Sequence, residues 1–164
     1  MDYQLKAVST DEDILQLEAL AHEIWNQHFV PIIGQSQVDY MLGKFQSFAP
    51  MKQHISEGMN YYMLSVGGEN VGYCGFKKDG ERVFLSKLYL KIAHRGKGFS
   101  KIMLEKVKQF AAENSLKAVY LTVNRHNDDT IAVYKHMGFE VIDSVVADIG
   151  NGFVMDDYIM QLEY

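Results

Sequence analysis

The sequence predicts an α+β fold in which a mixed, mostly antiparallel sheet is flanked by helices. Three observations indicate it. Apolar residues recur at helical spacing through residues 14–45, strand-like runs alternate with turn residues through 61–90, and a glycine-rich turn at 95–100 leads straight into another helical pattern. We expect one domain over residues 1–164, because this length suits a single domain with a real core.

The N-terminal part is predicted to hold one strand and three helices. Residues 4–8 alternate as a strand, and Ser9 and Thr10 are good caps for a helix that runs to about Asn26. Pro31 and Gly34 interrupt this helical pattern. The second and third helices are expected to begin at Ser36 and Pro50.

The rest of the chain is predicted to be rich in strands. Residues 61–66, 71–76 and 82–90 are separated by turn residues and favour an antiparallel meander. After the turn and helix that start near residue 95, we expect a strand at 118–123, a helix at 128–137 and strands at 139–148 and 157–163. The last strand is expected either to form a sheet edge or to pair with a second subunit, so a homodimer is one option.

The turn Arg95-Gly96-Lys97-Gly98-Phe99-Ser100 is the main functional signal. Its glycines let a ligand approach the backbone, and the first amides of the following helix lack intrahelical partners. Such a turn suits an anion, most often phosphate. An ordinary connection between a strand and a helix is the alternative, because neither the dinucleotide-binding nor the P-loop pattern is complete.

Composition and charge narrow the class of protein. The sequence has ordinary globular composition, no apolar stretch near membrane length and no basic, apolar leader, so we expect a cytoplasmic protein with no membrane partner. Its net charge of −5 weakly disfavours a nucleic-acid partner. Cys74, the only cysteine, is expected to be a buried thiol rather than a reactive one.

Two motifs at the right separation resemble a known family. The family patterns are Q/R-x-x-G-x-G/A and, downstream, N-x-x-A-x-x-x-Y-x-x-x-G-F. This sequence matches them with Arg95, Gly98, Asn127, Tyr134 and Gly138-Phe139. It departs from them at Ser100, which replaces a smaller residue and can cap the helix, and at Thr130, which replaces alanine. The chain thus resembles the GNAT superfamily of N-acetyltransferases over about residues 84–139, which implies the twisted GNAT sheet and acetyl-CoA as co-substrate.

The resemblance also implies roles for individual residues. In this family the fourth strand bulges and parts from the fifth, so that backbone groups near Leu88 and Leu90 pair with the pantetheine arm. The turn would hold the pyrophosphate, Asn127 would bind the pantetheine or phosphate side, and Tyr134 would lie near the thioester sulfur. The complete set of implied acetyl-CoA contacts is Leu88, Tyr89, Leu90, Arg95, Gly96, Lys97, Gly98, Phe99, Ser100, Asn127 and Tyr134.

The chemistry requires a neutral amine to attack a thioester and a thiolate to leave. Tyr134 is the candidate general acid toward the thiolate, and a backbone amide near Leu90 could stabilise the developing oxyanion. A half-buried core aromatic is the plainer interpretation of Tyr134, and a helix cap is that of Asn127. No strong general base emerges, since Glu23, Glu81, His28 and Tyr40 all have ordinary polar interpretations.

The sequence says least about the acceptor, the amine that would receive the acetyl group. Trp25, His28 and Tyr40 are candidate substrate residues, in a segment loosely similar to bacterial polyamine and diamine acetyltransferases. A small-molecule amine is the first choice, and protein N-terminal or lysine acetylation or a non-catalytic acyl-CoA sensor are the alternatives. The histidines lack metal-ligand spacing, so no metal is expected. The pairs Asp128-Asp129 and Asp156-Asp157 are interpreted as solvated loop or helix-start charges.

Overall fold

The strands form one mixed sheet. A computed structural model describes residues 2–163; Met1 and Tyr164, the ends of the predicted domain, lie outside the described residues. Within that range the sheet has seven strands in the order β1-β2-β3-β4-β5-β7-β6. They are β1 (Tyr3–Ala7), β2 (Asn60–Val66), β3 (Glu69–Asp79), β4 (Arg82–Leu90), β5 (Ala118–Asn124), β6 (Glu140–Gly150) and β7 (Phe153–Glu163). Only β4 and β5 pair in parallel, so the predicted α+β fold and mostly antiparallel sheet are confirmed.

The helices cover both faces of this sheet. They are α1 (Asp11–His28), α2 (Val30–Ile33), α3 (Gln35–Phe45), α4 (Phe48–Ser56), α5 (Phe99–Glu113) and α6 (Asp128–His136). Pro31 does not simply end the helical region as predicted but starts α2, because proline fits the first turn of a helix, where no backbone donor is needed. For the same reason Pro50 lies within the first turn of α4, which begins at Phe48.

The start of α1 follows the predicted capping chemistry. The Thr10 hydroxyl accepts a hydrogen bond from the Asp13 amide, and the Asp13 carboxylate accepts from the Ser9 and Thr10 amides. These donors hold the pKa of Asp13 well below its usual range. The capping box therefore fixes the residue at which α1 begins after β1.

The position of β7 corrects the prediction for the last strand. We expected residues 158–162 at a sheet edge or in a subunit contact, but β7 lies between β5 and β6 and pairs with both. Its central position depends on pairing with β5, whose paired residues lie more than 30 positions earlier in the chain. A pairing between such distant segments cannot be recognised from a local sequence pattern. The edge at this end of the described sheet is β6.

The sheet separates two apolar cores. Cys74, Phe76, Leu121 and Met103 belong to the core under α5 and α6, whereas Tyr61 is buried under α1, α3 and α4. Residues of one strand alternate between the cores, as side chains on a strand must. The predicted buried state of Cys74 is confirmed, and burial raises the pKa of its thiol to about 12.

Candidate active site

A gap opens in the sheet between β4 and β5. The two strands are paired only from Arg82 to Phe84, opposite residues 118–120 of β5. Beyond this point the register of β4 against β3 shifts, because Gly75 faces Lys87 whereas Phe76 faces Leu85, which leaves Ser86 as the extra residue of a bulge. A bulge bends its strand, so β4 diverges from β5, as the family resemblance implied.

The free side of β4 offers backbone groups to a ligand. The Lys91 amide donates to the Val71 carbonyl of β3, and backbone groups along a strand alternate in direction. Leu88 and Leu90 therefore direct their amides and carbonyls away from β3, into the gap. The Leu90 carbonyl confirms this direction, because it accepts a hydrogen bond from Arg95 Nε at 3.3 Å.

The glycine-rich turn lies at one end of this gap. Gly96 and Gly98 have φ of +74° and +85°, a backbone conformation that favours glycine, and a Cβ at either position would meet nothing within 4 Å. α5 begins at Phe99 with no side-chain cap, so Ser100 does not cap it as expected. The amides of residues 99–101 precede the first intrahelical hydrogen bond, Ile102 to Gly98, and are therefore open to an anion.

A cavity of about 590 Å³ runs through the gap. Its lining includes ten of the eleven implied acetyl-CoA contacts, and Lys97 is the exception. Phe29, Met41 and Met155 line it on the side of α1 and α3, and Phe99, Val133 and Met137 on the side of α5 and α6. The cavity therefore opens to both faces of the sheet.

Tyr134 lies on the α6 side of the cavity. It is 6% exposed, its ring is 5.5 Å from that of Phe139, and burial raises the pKa of its phenol. A phenol with a raised pKa keeps its proton at neutral pH and can donate it. Tyr134 can be both a core aromatic and a general acid, because its ring packs against Phe139 and the residue also lines the cavity.

Asn127 links the cavity wall to the N-terminal helices. It precedes α6, but its side chain does not cap the helix as the plainer interpretation supposed. Its Oδ1 instead lies 3.0 Å from His28 Nε2 at the end of α1. Burial and the nearby Arg95 lower the pKa of His28, so the ring is neutral at pH 7.

Aromatic side chains form the wall on the α1 side. The Trp25 ring lies 4.3 Å from Phe29 and 5.5 Å from Tyr89, between ring centroids. The Trp25 indole donates to the buried Tyr73 hydroxyl, which donates to Gln46, so this wall is held in place. Trp25 and His28, two of the three candidate substrate residues, thus line the cavity, and Phe29 joins them.

Tyr40 does not line the cavity, which corrects its prediction as a substrate residue. Its hydroxyl donates to the Ile149 carbonyl at 2.6 Å, and its ring packs against Phe153 at 5.3 Å between centroids. Lys44 also donates to the Ile149 carbonyl. Tyr40 therefore fastens α3 to the β6–β7 hairpin and positions the wall of the cavity indirectly.

Asp157 was interpreted as a solvated charge, and this interpretation is wrong. It lies within β7, is 4% exposed and lines the cavity. Burial, together with the neighbouring Asp156, raises the pKa of its carboxyl to about 6. Its position pairs it with Asn124 of β5, a relation that the sequence could reveal only once β7 had been placed beside β5.

The other candidate bases lie outside the cavity. Glu23 forms an ion pair with Lys91, and Glu81 pairs with Lys117 in the open. Among residues 2–163 no three His, Cys, Asp or Glu side chains gather as metal ligands would, and the absence of a metal stays a prediction.

Residues 17–139, more than half of the chain, match the family model described as Acetyltransferase (GNAT) family. The chain belongs to the GNAT family. The resemblance drawn from the two motifs is confirmed, and so is the enzyme class, N-acetyltransferase. In the part of this acetyltransferase that the structure describes, no helix is long and apolar enough to cross a membrane.

Relatives and solved structures agree with this assignment. An uncharacterised N-acetyltransferase of Escherichia coli K12, YjgM, is 27% identical over 138 residues, which cover 77% of this chain and 83% of the relative. The PaiA N-acetyltransferase of Thermoplasma acidophilum, solved with coenzyme A, superposes with a TM-score of 0.85 at 20% identity over 100% of both chains. The ribosomal-protein-S18-alanine N-acetyltransferase of Escherichia coli gives 0.70 at 15% identity, covering 99% of this chain and 94% of that one. These structural likenesses show the shared fold.

Proposed function

We propose that this acetyltransferase moves the acetyl group of acetyl-CoA to a primary amine of a small molecule, by direct attack of the amine on the thioester. One observation carries the proposal: the cavity joins an anion seat at residues 96–101, a free strand edge at Leu88 and Leu90, and the Tyr134 side chain. These are the groups that a diphosphate, an amide-bearing arm and a leaving thiolate each require.

The residues present fit acetyl-CoA. The open space above Gly96 and Gly98 leaves room for a diphosphate against the backbone amides, and Arg95 adds positive charge beside it. The Leu88 and Leu90 backbone groups can pair with the amides of the pantetheine arm as a neighbouring strand would. When bound, acetyl-CoA supplies the activated acetyl group.

The catalytic and binding groups of the chain lie on both faces of the sheet and along the edge of β4. The Leu90 amide, which faces the gap, is placed to stabilise negative charge on a carbonyl oxygen laid along β4. The Tyr134 hydroxyl, on the α6 side, gives its proton to the departing sulfur. The aromatic wall of Trp25, Phe29 and Tyr89 excludes water on the opposite side and receives the amine.

Release of free thiol from acetyl-CoA tests this function. The purified protein should release thiol only when an acceptor is added, across a panel of alkyl and arylalkyl amines, polyamines, amino acids and aminoglycosides. Peptides with free N-termini or lysines complete the panel. Turnover of peptides alone would move the acceptor to a protein, and CoA binding without acceptor-dependent thiol would make the domain a sensor.

Replacing Tyr134 with Phe tests the general acid. The ring still packs against Phe139, so the fold and CoA affinity should persist, while kcat falls by about 10²-fold or more because the proton donor is lost. Isothermal titration with CoA and thiol release measure the two effects separately. Unchanged kcat would remove Tyr134 from the mechanism.

A further inference from the structure

Asp157 is a buried carboxylate in the cavity that the proposed mechanism does not yet use. Its side chain accepts no hydrogen bond from any group among residues 2–163, yet it lines the cavity and so can meet a ligand. An ionised group that is nearly buried and lacks a protein partner is costly to keep. It therefore calls for a cationic or proton-donating partner that enters from the cavity.

The sheet register places Asp157 on the acceptor side. Directly paired residues of antiparallel strands project to the same face, so Asp157 shares the face of Asn124. Met155, two residues earlier and therefore on the same face, packs with the core under α1 and α3, whereas Tyr134 packs with the opposite core. Asp157 and Tyr134 thus approach the gap from opposite faces of the sheet.

The surroundings of Asp157 contain little other charge. Tyr89 of β4 is the titratable group that interacts with Asp157 across the gap, and its phenol pKa is raised by burial, with a smaller contribution from Asp157. Asp156, the preceding residue of β7, projects to the opposite face and pairs with Arg125, but its charge still acts on Asp157. Val145 of β6 stands opposite it. Asp129, the other carboxylate of the cavity lining, interacts with Arg95 and His28 at the cofactor end. Among the described residues that line the cavity, Asp157 is thus the lone carboxylate on the acceptor side.

Most of the remaining acceptor-side wall is apolar, and the polar residues His28, Gln37 and Asn124 add no negative charge to it. Its apolar members are Trp25, Phe29, Ile33, Met41, Tyr89 and Met155. The Gln37 amide, which borders the same region, already donates to the Val154 carbonyl. A second ammonium on the acceptor would therefore lose water without gaining an ionic partner.

We propose that Asp157 binds the acceptor's ammonium and takes a proton from its nitrogen as the amide forms, and that the acceptor is a monoamine with an apolar or aromatic body. This inference rests on the proposed function and names its substrate class. It disfavours polyamines as acceptors, although the N-terminal segment is loosely similar to that of polyamine acetyltransferases.

The steps balance. The bound ammonium first loses one proton to solvent, and its lone pair forms the N–C bond to the acetyl carbonyl carbon. The C–S bond breaks, the nitrogen gives its second proton to the Asp157 carboxylate, and Tyr134 gives its proton to the sulfur. Asp157 then returns a proton, through water, to the Tyr134 phenolate, so both residues end as they began.

Matched pairs of variants and amines test the inference by thiol release. Asp157→Asn keeps the shape and should lower kcat/KM by about 10² to 10⁴-fold, with CoA affinity unchanged. The control Asp156→Asn removes a charge from the adjacent position, which pairs with Arg125 and does not line the cavity, and it should keep most of the activity. Hexylamine should exceed 1,6-diaminohexane by about 100-fold in kcat/KM, because the second charge would be desolvated without a partner.

The pH profile separates proton transfer from a structural role. With the wild type, kcat/KM expressed for the unprotonated fraction of the amine should be level above about pH 6 and fall below it, where Asp157 becomes protonated. Asp156→Asn should keep the plateau but move this limb to lower pH, because Asp156 raises the pKa of Asp157. Asp157→Asn should lose the limb altogether, and its melting temperature checks that it folds; if it does not, the wild-type and Asp156→Asn profiles decide alone.

Several results would overturn the inference while leaving the proposed function standing. These are wild-type turnover with a preference for the diamine, Asp157→Asn activity within about 3-fold of wild type, or an acid limb that disappears in His28→Gln but not in Asp157→Asn. Wild-type protein that releases no thiol with any amine would refute the proposed function itself, and the inference with it.

Discussion

Replacing Lys87 with Met should remove a pH dependence of stability that a buried amine imposes. Lys87 lies on β4 but faces the core under α3, where it is 5% exposed. Its Nζ donates to the Phe45 carbonyl at 2.9 Å and to the Tyr61 hydroxyl at 2.6 Å, with no carboxylate in reach among residues 2–163. Burial therefore lowers the pKa of Lys87 from its ordinary 10.5 to about 7.

The sign and size follow from proton linkage. Between about pH 7 and 10.5 the unfolded chain holds a proton on Lys87 that the folded chain has lost, so this group makes stability rise with pH in that window. Below pH 7 both states are protonated and its contribution is constant. From pH 7.5 to 9.5 the folded state should gain about 2.5 kcal/mol from this group alone.

Urea unfolding at pH 7.5 and 9.5 measures the effect. Lys87→Met leaves the Phe45 carbonyl and the Tyr61 hydroxyl without this donor, which costs about 1–3 kcal/mol each at either pH and cancels in the comparison. The variant's stability should therefore rise by about 2.5 kcal/mol less than that of the wild type. Lys78→Met, at an exposed position of β3, is the control and should keep the wild-type slope. An unchanged slope in Lys87→Met would refute the reasoning.

Two further predictions concern glycines near the gap. Gly98→Asp should abolish CoA binding measured by isothermal titration, because its carboxylate would repel a diphosphate; Gly68→Asp, with the same φ of +85° and equally open space, carries the same strain and should bind normally. Gly72→Ala should lower the unfolding free energy by about 1–3 kcal/mol, because its Cβ would lie 2.8 Å from the Tyr89 carbonyl oxygen and 2.9 Å from Leu90 Cδ1. Wild-type stability of that variant in urea would show that β4 can shift away.

The local parts of this molecule could be predicted from the sequence. Apolar periodicity and turn residues are properties of short segments, so the order of helices and strands was accessible, apart from the one-turn helix α2. The glycine-rich turn and the start of α5 were accessible for the same reason, since strand, glycines and helix are contiguous there. The spacing of the two motifs singled out Asn127 and Tyr134, which both border the cavity.

The missed residues depend on contacts between distant segments. Asp157 follows Asp156 shortly after a glycine turn, a pattern typical of a solvated loop, and only the pairing of β7 with β5 buries it. Tyrosine is a common residue in binding sites, which made Tyr40 a candidate. However, α3 packs against the β6–β7 hairpin, and the Tyr40 hydroxyl donates a hydrogen bond to the Ile149 carbonyl. In both cases the deciding contact is with a segment more than 30 residues away, which periodicity cannot reveal.

The gap between β4 and β5 explains why the cofactor end and the acceptor end meet at one point. Opening a sheet leaves polar backbone groups of Leu88 and Leu90 unpaired, which is costly in a dry core and invites aggregation at a free edge. Here the edge lies inside a cavity, and Arg95 already satisfies the Leu90 carbonyl. Under the proposed function, the amide-bearing arm of acetyl-CoA would satisfy the remaining groups by taking the place of the missing strand. Such an arm would lie in the sheet plane, and its reactive carbon would then lie between the faces that Asp157 and Tyr134 occupy.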